Sequence, residues 1–109
     1  MRTLKFIVEG QNIRQDPNCD FSGLIPGASG YLQAEFTFSP EWNGYVKVAS
    51  FHSMMGREYT PQWIKDGKTC AIPAEALERV AFKLNIIGGK GPDRLTTNQI
   101  TITQNGGRK

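Results

Sequence analysis

Histidine, cysteine and paired carboxylates most often carry catalysis or hold metal ions, and this sequence offers few of them. His52 is the single histidine, and Cys19 and Cys70 lie far apart without a Cys-x-x-Cys pair. No set of these residues has the spacing of metal ligands. A nucleophilic cysteine needs a base beside it, whereas Cys70 lies in a short predicted strand on the side that faces the core. We therefore predict no metal site, no cofactor and no catalytic residue.

The remaining candidates for chemistry fit structural roles better. The segment Gly88-Gly89-Lys90-Gly91 is similar to a phosphate-binding loop, but no Gly-Lys-Ser/Thr follows and no long helix begins after it. We interpret it as a turn between strands. The carboxylates lie at solvent-facing strand positions, in turns or in a short helix, and nothing pairs two of them as an acid and a base. The sequence thus favours a protein that is not an enzyme.

One loop combines residue types that suit a protein contact. Two adjacent methionines in an exposed loop do little for solubility, whereas their flexible thioethers fit irregular protein surfaces. Arginine and tyrosine are also frequent in interfaces. The alternative is that one methionine fills the end of the core. The predicted partner-binding residues are His52, Met54, Met55, Arg57 and Tyr59.

Length and composition limit the class of protein. The 109 residues suffice for one domain, predicted over residues 1–109, and 39% of them are hydrophobic. There is no run of about 18 apolar residues and no h-region of a signal peptide, so we expect a protein of the cytoplasm without a membrane partner. In that reducing compartment both cysteines are expected to be free and packed, with a disulfide as the alternative.

Basic residues do not form a contiguous surface in the sequence. The net charge is +3, but thirteen Lys and Arg residues are interleaved with ten acidic ones, and only Arg108-Lys109 forms a basic pair. Binding along a phosphate backbone needs a contiguous basic face, usually with stacking aromatic residues. We therefore do not expect a nucleic-acid partner.

Most of the chain shows the alternation of apolar and polar residues that is typical of half-buried β-strands. A short helix is predicted near residues 73–78, and a short strand near Ile13 or Leu24 is left open within the irregular residues 11–29. About seven strands and little helix predict an all-β fold, a single antiparallel β-sandwich, with a small barrel as the alternative. The strands are predicted over residues 3–9, 32–38, 45–51, 57–64, 69–72, 80–87 and 95–104.

Turn residues predict two hairpins. Asn43-Gly44 tolerates positive φ and should join the second and third predicted strands, with Trp42 folded back as an apolar anchor. Asp66-Gly67 should join the fourth and fifth predicted strands in the same way. Pro61 restricts the fourth strand to an edge or a bulge.

Inward strand positions define the expected core. In residues 45–51 the inward parity is ambiguous, and we favour Phe51 inside. Core packing is also favoured for Trp63, and the alternative is a carbohydrate-stacking platform of Trp42, Tyr45, Tyr59 and Trp63. Cys70 is expected to be a buried thiol. The core is predicted to contain Leu4, Phe6, Val8, Leu32, Ala34, Phe36, Phe38, Trp42, Ile72, Phe82, Leu84, Ile100 and Ile102.

The order of these features resembles the small immunoglobulin-like domains of tail and baseplate accessory proteins of phages and prophages of Gram-positive bacteria. The resemblance extends from about Leu4 to Gln104 and depends mostly on turn and core residues. It is carried by Phe36-Thr-Phe-Ser-Pro-Glu-Trp42-Asn-Gly44, Lys47-Val-Ala49-Ser-Phe51, Asp66-Gly67, Cys70-Ala-Ile72-Pro73-Ala-Glu75-Ala-Leu77, Gly88 and Thr97-Asn98.

The resemblance implies an immunoglobulin-like β-sandwich and a non-enzymatic function in the tail, the baseplate or the decoration of a virion. The implied partners are other virion proteins, with a homo-oligomer in the assembly, and the implied location is the host cytoplasm during synthesis and then the virion. Such domains often begin a longer chain with a coiled coil or receptor-binding part, whereas this sequence stops at Lys109.

Two other functions fit a small domain without a catalytic set. One is a phage-encoded inhibitor that binds and blocks a host protein, for example a component of antiviral immunity. The other is a cell-surface carbohydrate-binding module that uses the aromatic residues named above.

Overall fold

The computed structural model of the chain describes residues 1–104, so the Arg108-Lys109 pair lies outside the described residues. The described residues form nine β-strands and one short helix, which confirms the all-β prediction and the helix near residues 73–78. None of their helices is long and apolar enough to cross a membrane. The elements are β1 (Arg2–Glu9), β2 (Asn12–Gln15), β3 (Leu32–Phe38), β4 (Val46–His52), β5 (Gln62–Trp63), β6 (Thr69–Ala71), α1 (Ala74–Leu77), β7 (Ala81–Lys90), β8 (Asp93–Thr96) and β9 (Ile100–Thr103).

Sheet A contains four strands in the order β2-β1-β3-β6. β1 pairs with β3 in parallel, with Phe6 opposite Phe36, and this pair corrects the prediction of a purely antiparallel fold. The other pairs in sheet A are antiparallel. The parallel pair is possible because residues 16–31 form a long connection that returns the chain to the end of the sheet where β1 began. The strand left open near Ile13 is β2.

Sheet B contains β5-β4-β7-β8, with β9 also paired to β7, and all of its pairs are antiparallel. The single strand predicted over residues 95–104 is in fact two strands, because the chain bends after β8. Thr97 accounts for the bend: its Oγ1 accepts a hydrogen bond from Ile86 N at 2.9 Å, and its own N–H donates to Ile86 O at 3.0 Å. The Thr97 side chain thus takes the place of a backbone acceptor at one position of the hydrogen-bond ladder beside β7.

Both predicted hairpins are wrong. β3 lies in sheet A and β4 in sheet B, and in the same way β5 lies in sheet B and β6 in sheet A. The turn residues do reverse the chain, but each reversal carries it from one sheet to the other. A turn signal specifies a change of direction, and it does not specify which sheet the returning strand joins.

The two sheets share one hydrophobic core, an arrangement compatible with a β-sandwich. Every predicted core residue is buried except Phe38 and Ile100, which are partly buried. Phe51 and Cys70 are buried, as predicted. Trp63, in contrast, is 58% exposed, so its predicted place in the core is wrong. It lies opposite Val48 on the outer face of sheet B.

Trp42 lies at the centre of an aromatic cluster between the sheets. A 3₁₀ turn (Pro40–Trp42) carries it inward, where it is fully buried. Its Nε1 donates a hydrogen bond to Gly10 O at 2.9 Å, so the polar atom of the indole is satisfied. A Cβ on Gly88 would lie 2.6 Å from Trp42 Cζ3, which is why β7 needs glycine at this position.

Candidate functional site

The loop that follows β4 presents two methionines on a closed turn. Ser53 N donates a hydrogen bond to Arg57 O at 2.8 Å, and Arg57 N donates to Ser53 Oγ at 2.9 Å. Gly56 completes the turn with a φ of 93°, a value that favours glycine. The turn therefore holds the methionines outward: Met54 is 47% exposed and Met55 is 95% exposed. Neither methionine fills the end of the core.

Four of the five predicted contact residues come together around one groove of about 570 Å³. We call this surface the methionine groove. The first wall comes from the loop after β4, which holds the predicted residues, and the second wall comes from the segment between α1 and β7. The groove is lined chiefly by Met54, Met55, Arg57, Tyr59, Arg79 and Val80.

Tyr59 is the buried member of the groove. Its side chain is 7% exposed, and its N–H donates to Phe51 O at 2.9 Å, which fixes the strand-like segment beside β4. The Tyr59 hydroxyl is buried and has no hydrogen-bond partner within residues 1–104. A buried hydroxyl without a partner costs about 1–3 kcal/mol, so this position is costly for stability alone.

The second wall was missed by the sequence analysis. Val80 belongs by alternation to the inward face of β7, yet it lies before the strand begins and is 50% exposed. Gln104 holds the wall in place, because its Nε2 donates to Leu77 O at 3.1 Å and to Arg79 O at 2.8 Å. No local sequence pattern predicts that Val80 lines the same groove as Met54, because the two residues are remote in sequence.

The charge of the groove is mixed with a positive excess. Arg57 and Arg79 line it together with Glu78. The ion pair found within the described residues joins Arg14 to Glu9, and none there involves these three side chains. The two guanidinium groups are thus available to a carboxylate on a partner.

His52 does not line the methionine groove, so this part of the predicted site is not brought together with the rest. Its Nε2 lies 2.9 Å from Ser50 Oγ on the outer face of sheet B. A serine beside a histidine is the pair used in nucleophilic catalysis. Ser50, however, is 2% exposed in the middle of β4, where its hydroxyl is out of reach of a substrate.

Cys70 and Cys19 are free thiols in different environments, the first buried and the second partly buried. Burial, with a smaller contribution from the charge of Asp66, raises the pKa of the Cys70 thiol to about 12. It is therefore a poor nucleophile. Among residues 1–104, no group of three or more His, Cys, Asp or Glu side chains could hold a metal ion.

The aromatic platform that was the alternative to core packing is not assembled. Trp42 and Tyr59 are buried, and only Trp63 among the four aromatic residues is largely exposed. Trp63 lies beside grooves on sheet B that share no lining residue with the methionine groove. The exposed apolar residues around Trp63 thus form a surface separate from the methionine groove.

Comparison of the chain with protein-family models, with curated proteins and with solved structures found no match.

Proposed function

We propose that this chain is a non-enzymatic phage accessory protein, a component of a tail, a baseplate or a virion surface, that docks onto another virion protein through the methionine groove. The observation that carries the proposal is the pair of exposed methionines held on a closed turn beside an apolar groove. Exposed apolar surface with flexible thioethers is costly in water and useful in a contact.

The charge of the groove suggests the chemistry of the partner segment. Arg57 and Arg79 exceed the single Glu78, so a segment with an apolar side chain and a nearby carboxylate fits best. The apolar side chain would cover Met54 and Met55, and the carboxylate would pair with a guanidinium group. Interface arginines and buried aromatic residues are frequent contributors to such contacts.

The phage setting rests on the resemblance in sequence and on the immunoglobulin-like sandwich that the resemblance implies. Two sheets around one core, with a cross-sheet connection at Trp42, are compatible with that architecture. A structural protein of this kind works in many copies, and a domain whose exposed loop is fixed by hydrogen bonds suits repeated docking. The alternative, an inhibitor of a host protein, would use the same groove on a different partner.

Particle composition separates the two functions. Particles purified from the phage or induced prophage that encodes the chain are analysed by quantitative mass spectrometry. A fixed number of copies per particle supports the structural function. Absence from particles, together with a stable complex with one host protein in the lysate, contradicts it and supports the inhibitor.

A pair of variants tests the groove itself. Met54→Asp with Met55→Asp should prevent incorporation into particles while the melting temperature stays nearly unchanged, because both side chains are exposed. Ile25→Asp is the matched control, since Ile25 is 59% exposed and does not line the groove. Normal incorporation of the double variant would show that the docking surface lies elsewhere.

A further inference from the structure

All three methionines of the chain are exposed, and two of them line the methionine groove. Met55 is 95% exposed, Met54 47% and Met1 78%. Met1 does not line the groove. A thioether reacts directly with hydroperoxides and becomes a sulfoxide, a polar group in place of an apolar one. The groove therefore carries two groups whose polarity a mild oxidant can change, and Met55, as the more exposed of them, is reached first.

The two cysteines do not compete for the oxidant at this surface, because neither lines the groove. Cys70 is buried, and burial raises the pKa of its thiol to about 12, with a smaller contribution from the charge of Asp66. Peroxides oxidise the thiolate, which Cys70 does not form near neutral pH. Cys19 is partly buried, and its Sγ accepts a hydrogen bond from Lys5 N at 3.3 Å. Oxidation of the groove is thus oxidation of its methionines.

The surroundings of the methionines give oxidation a second effect besides the loss of apolar surface. Arg57 belongs to the same closed turn as Met54 and Met55, and Arg79 comes from the second wall. Neither guanidinium group takes part in an ion pair within residues 1–104. A sulfoxide oxygen accepts hydrogen bonds, and a guanidinium group only donates them. The oxidised side chain would thus occupy a donor that a carboxylate of the partner needs.

We propose that oxidation of Met55 and Met54 by a hydroperoxide switches the methionine groove from a docking surface to a non-docking one. The switch depends on the docking function proposed above and adds its regulation. In the chemical step the thioether sulfur attacks the terminal oxygen of the peroxide, so that an S–O bond forms as the O–O bond breaks. The sulfur is oxidised, and hydrogen peroxide is reduced to water. Methionine sulfoxide reductases reverse the change with electrons from a thiol.

Uptake of the purified chain into virion assemblies tests the switch. A lysate of the phage or prophage with this gene deleted supplies assemblies that lack the chain, and isotope-labelled chain is added and counted by mass spectrometry in the sedimented fraction. Pretreatment with hydrogen peroxide should lower uptake by about tenfold or more, because the apolar contact and a guanidinium partner are both lost. Sulfoxide reductases with dithiothreitol should restore it. The melting temperature should stay nearly unchanged, since both side chains are exposed.

Met1 provides an internal reference, because it is exposed and oxidisable but lies outside the groove. In a time course of partial oxidation, peptide mapping should show that uptake falls with sulfoxide at Met55 and Met54 and not with sulfoxide at Met1. The variant Met54→Leu, Met55→Leu keeps Met1 and is compared with its own untreated sample. Its uptake, whatever the starting level, should not change with peroxide.

The outcomes separate failure of the switch from failure of docking. Equal uptake of the oxidised and the untreated chain would overturn the switch and leave docking intact. Loss of uptake that follows sulfoxide at Met1, or that persists in the leucine variant, would also overturn it, because another group would then carry the effect. Absence of uptake by the untreated chain would overturn the docking function itself, and the switch with it.

Discussion

The two connections that each end in the opposite sheet, residues 39–45 and residues 64–68, are built in contrasting ways although each lies near a tryptophan. The first carries Trp42 into the core, where its ring is fully buried and its Nε1 is hydrogen-bonded to Gly10 O. The second follows Trp63, whose ring stays 58% exposed, and is held by hydrogen bonds of Asp66 at the surface. One connection is stabilised by burial and the other by local polar contacts.

The contrast shows what decides whether a large aromatic side chain is buried or exposed. Trp42 has both a partner for its N–H and a glycine opposite its ring, so burial leaves no unpaired polar atom and no clash. Trp63 has the same side chain but lies on a two-residue edge strand, where it points to the outer face of sheet B, as Val48 does. Side-chain type is thus equal in the two cases, and strand parity and complementary neighbours make the difference.

The largest expected effect is the loss of Trp42. Trp42→Ala should lower the free energy of unfolding by about 3–5 kcal/mol, because it leaves a cavity between the sheets. Trp63→Ala should change it by no more than about 0.5 kcal/mol, as expected for an exposed position. Urea denaturation of the two variants measures both values. Equal losses would show that the two connections do not differ as described.

The next effect sharpens the role of close packing around Trp42. Gly88→Ala should cost about 1–3 kcal/mol, since its Cβ would clash with the indole ring. Gly89→Ala is the matched control, with open space at the Cβ, and should be neutral within about 0.5 kcal/mol. Thermal unfolding of both variants gives the comparison. A tolerated Gly88→Ala would mean that Trp42 can move.

A smaller effect concerns Tyr59, which is buried like Trp42 but has no hydrogen-bond partner within the described residues. Tyr59→Phe removes the unpaired hydroxyl and keeps the ring, so stability should stay the same or rise by up to about 1 kcal/mol. Chemical denaturation measures the change. A clear loss of stability would indicate that the hydroxyl has a partner, such as a bound water molecule.

The smallest effect is the acid sensitivity of the second connection. Hydrogen bonds from the Thr69 side chain, and from the backbone N–H groups of Lys68 and Thr69, lower the pKa of Asp66 from 3.8 to about 2. The folded state therefore holds the ionised form more strongly than the unfolded state does. Its contribution is present above pH 3.8 and is lost as the pH falls towards 2. In Asp66→Asn this part of the acid dependence should disappear, as measured by unfolding between those two pH values.

The sequence was sufficient for β1, β3 and β7 and for most of the core, because alternation marks the inward face of these strands directly, whereas the strand predicted over residues 57–64 is reduced to the two residues of β5. It was not sufficient for pairing. Asn43-Gly44 and Asp66-Gly67 specify local reversals, whereas the partner of each strand depends on contacts remote in sequence, such as Gly88 beneath Trp42. β5 has only two residues, so the alternation of apolar and polar residues does not show which face each side chain occupies. For this reason Trp63 was predicted in the core.

The sequence identified the residues of one of the two walls of the methionine groove. Met54, Met55, Arg57 and Tyr59 are neighbours in sequence, and their residue types indicate a contact surface by themselves. The opposite wall depends on Gln104, which forms hydrogen bonds to the segment before β7. No local sequence pattern predicts these hydrogen bonds. His52 was included because it adjoins the loop, but the alternation of β4 places it on the outer face of sheet B.

The parallel pair of β1 and β3 has a consequence for the way the chain folds. β1 lies inside sheet A, between β2 and β3, so its hydrogen bonds to β3 cannot form until residues 32–38 have been synthesised and the connection has closed. Closing that loop costs entropy before the pairing compensates for it, and such non-local contacts slow folding. The apolar residues of β1 therefore remain exposed during synthesis, and a chaperone that binds early chains would find its target there.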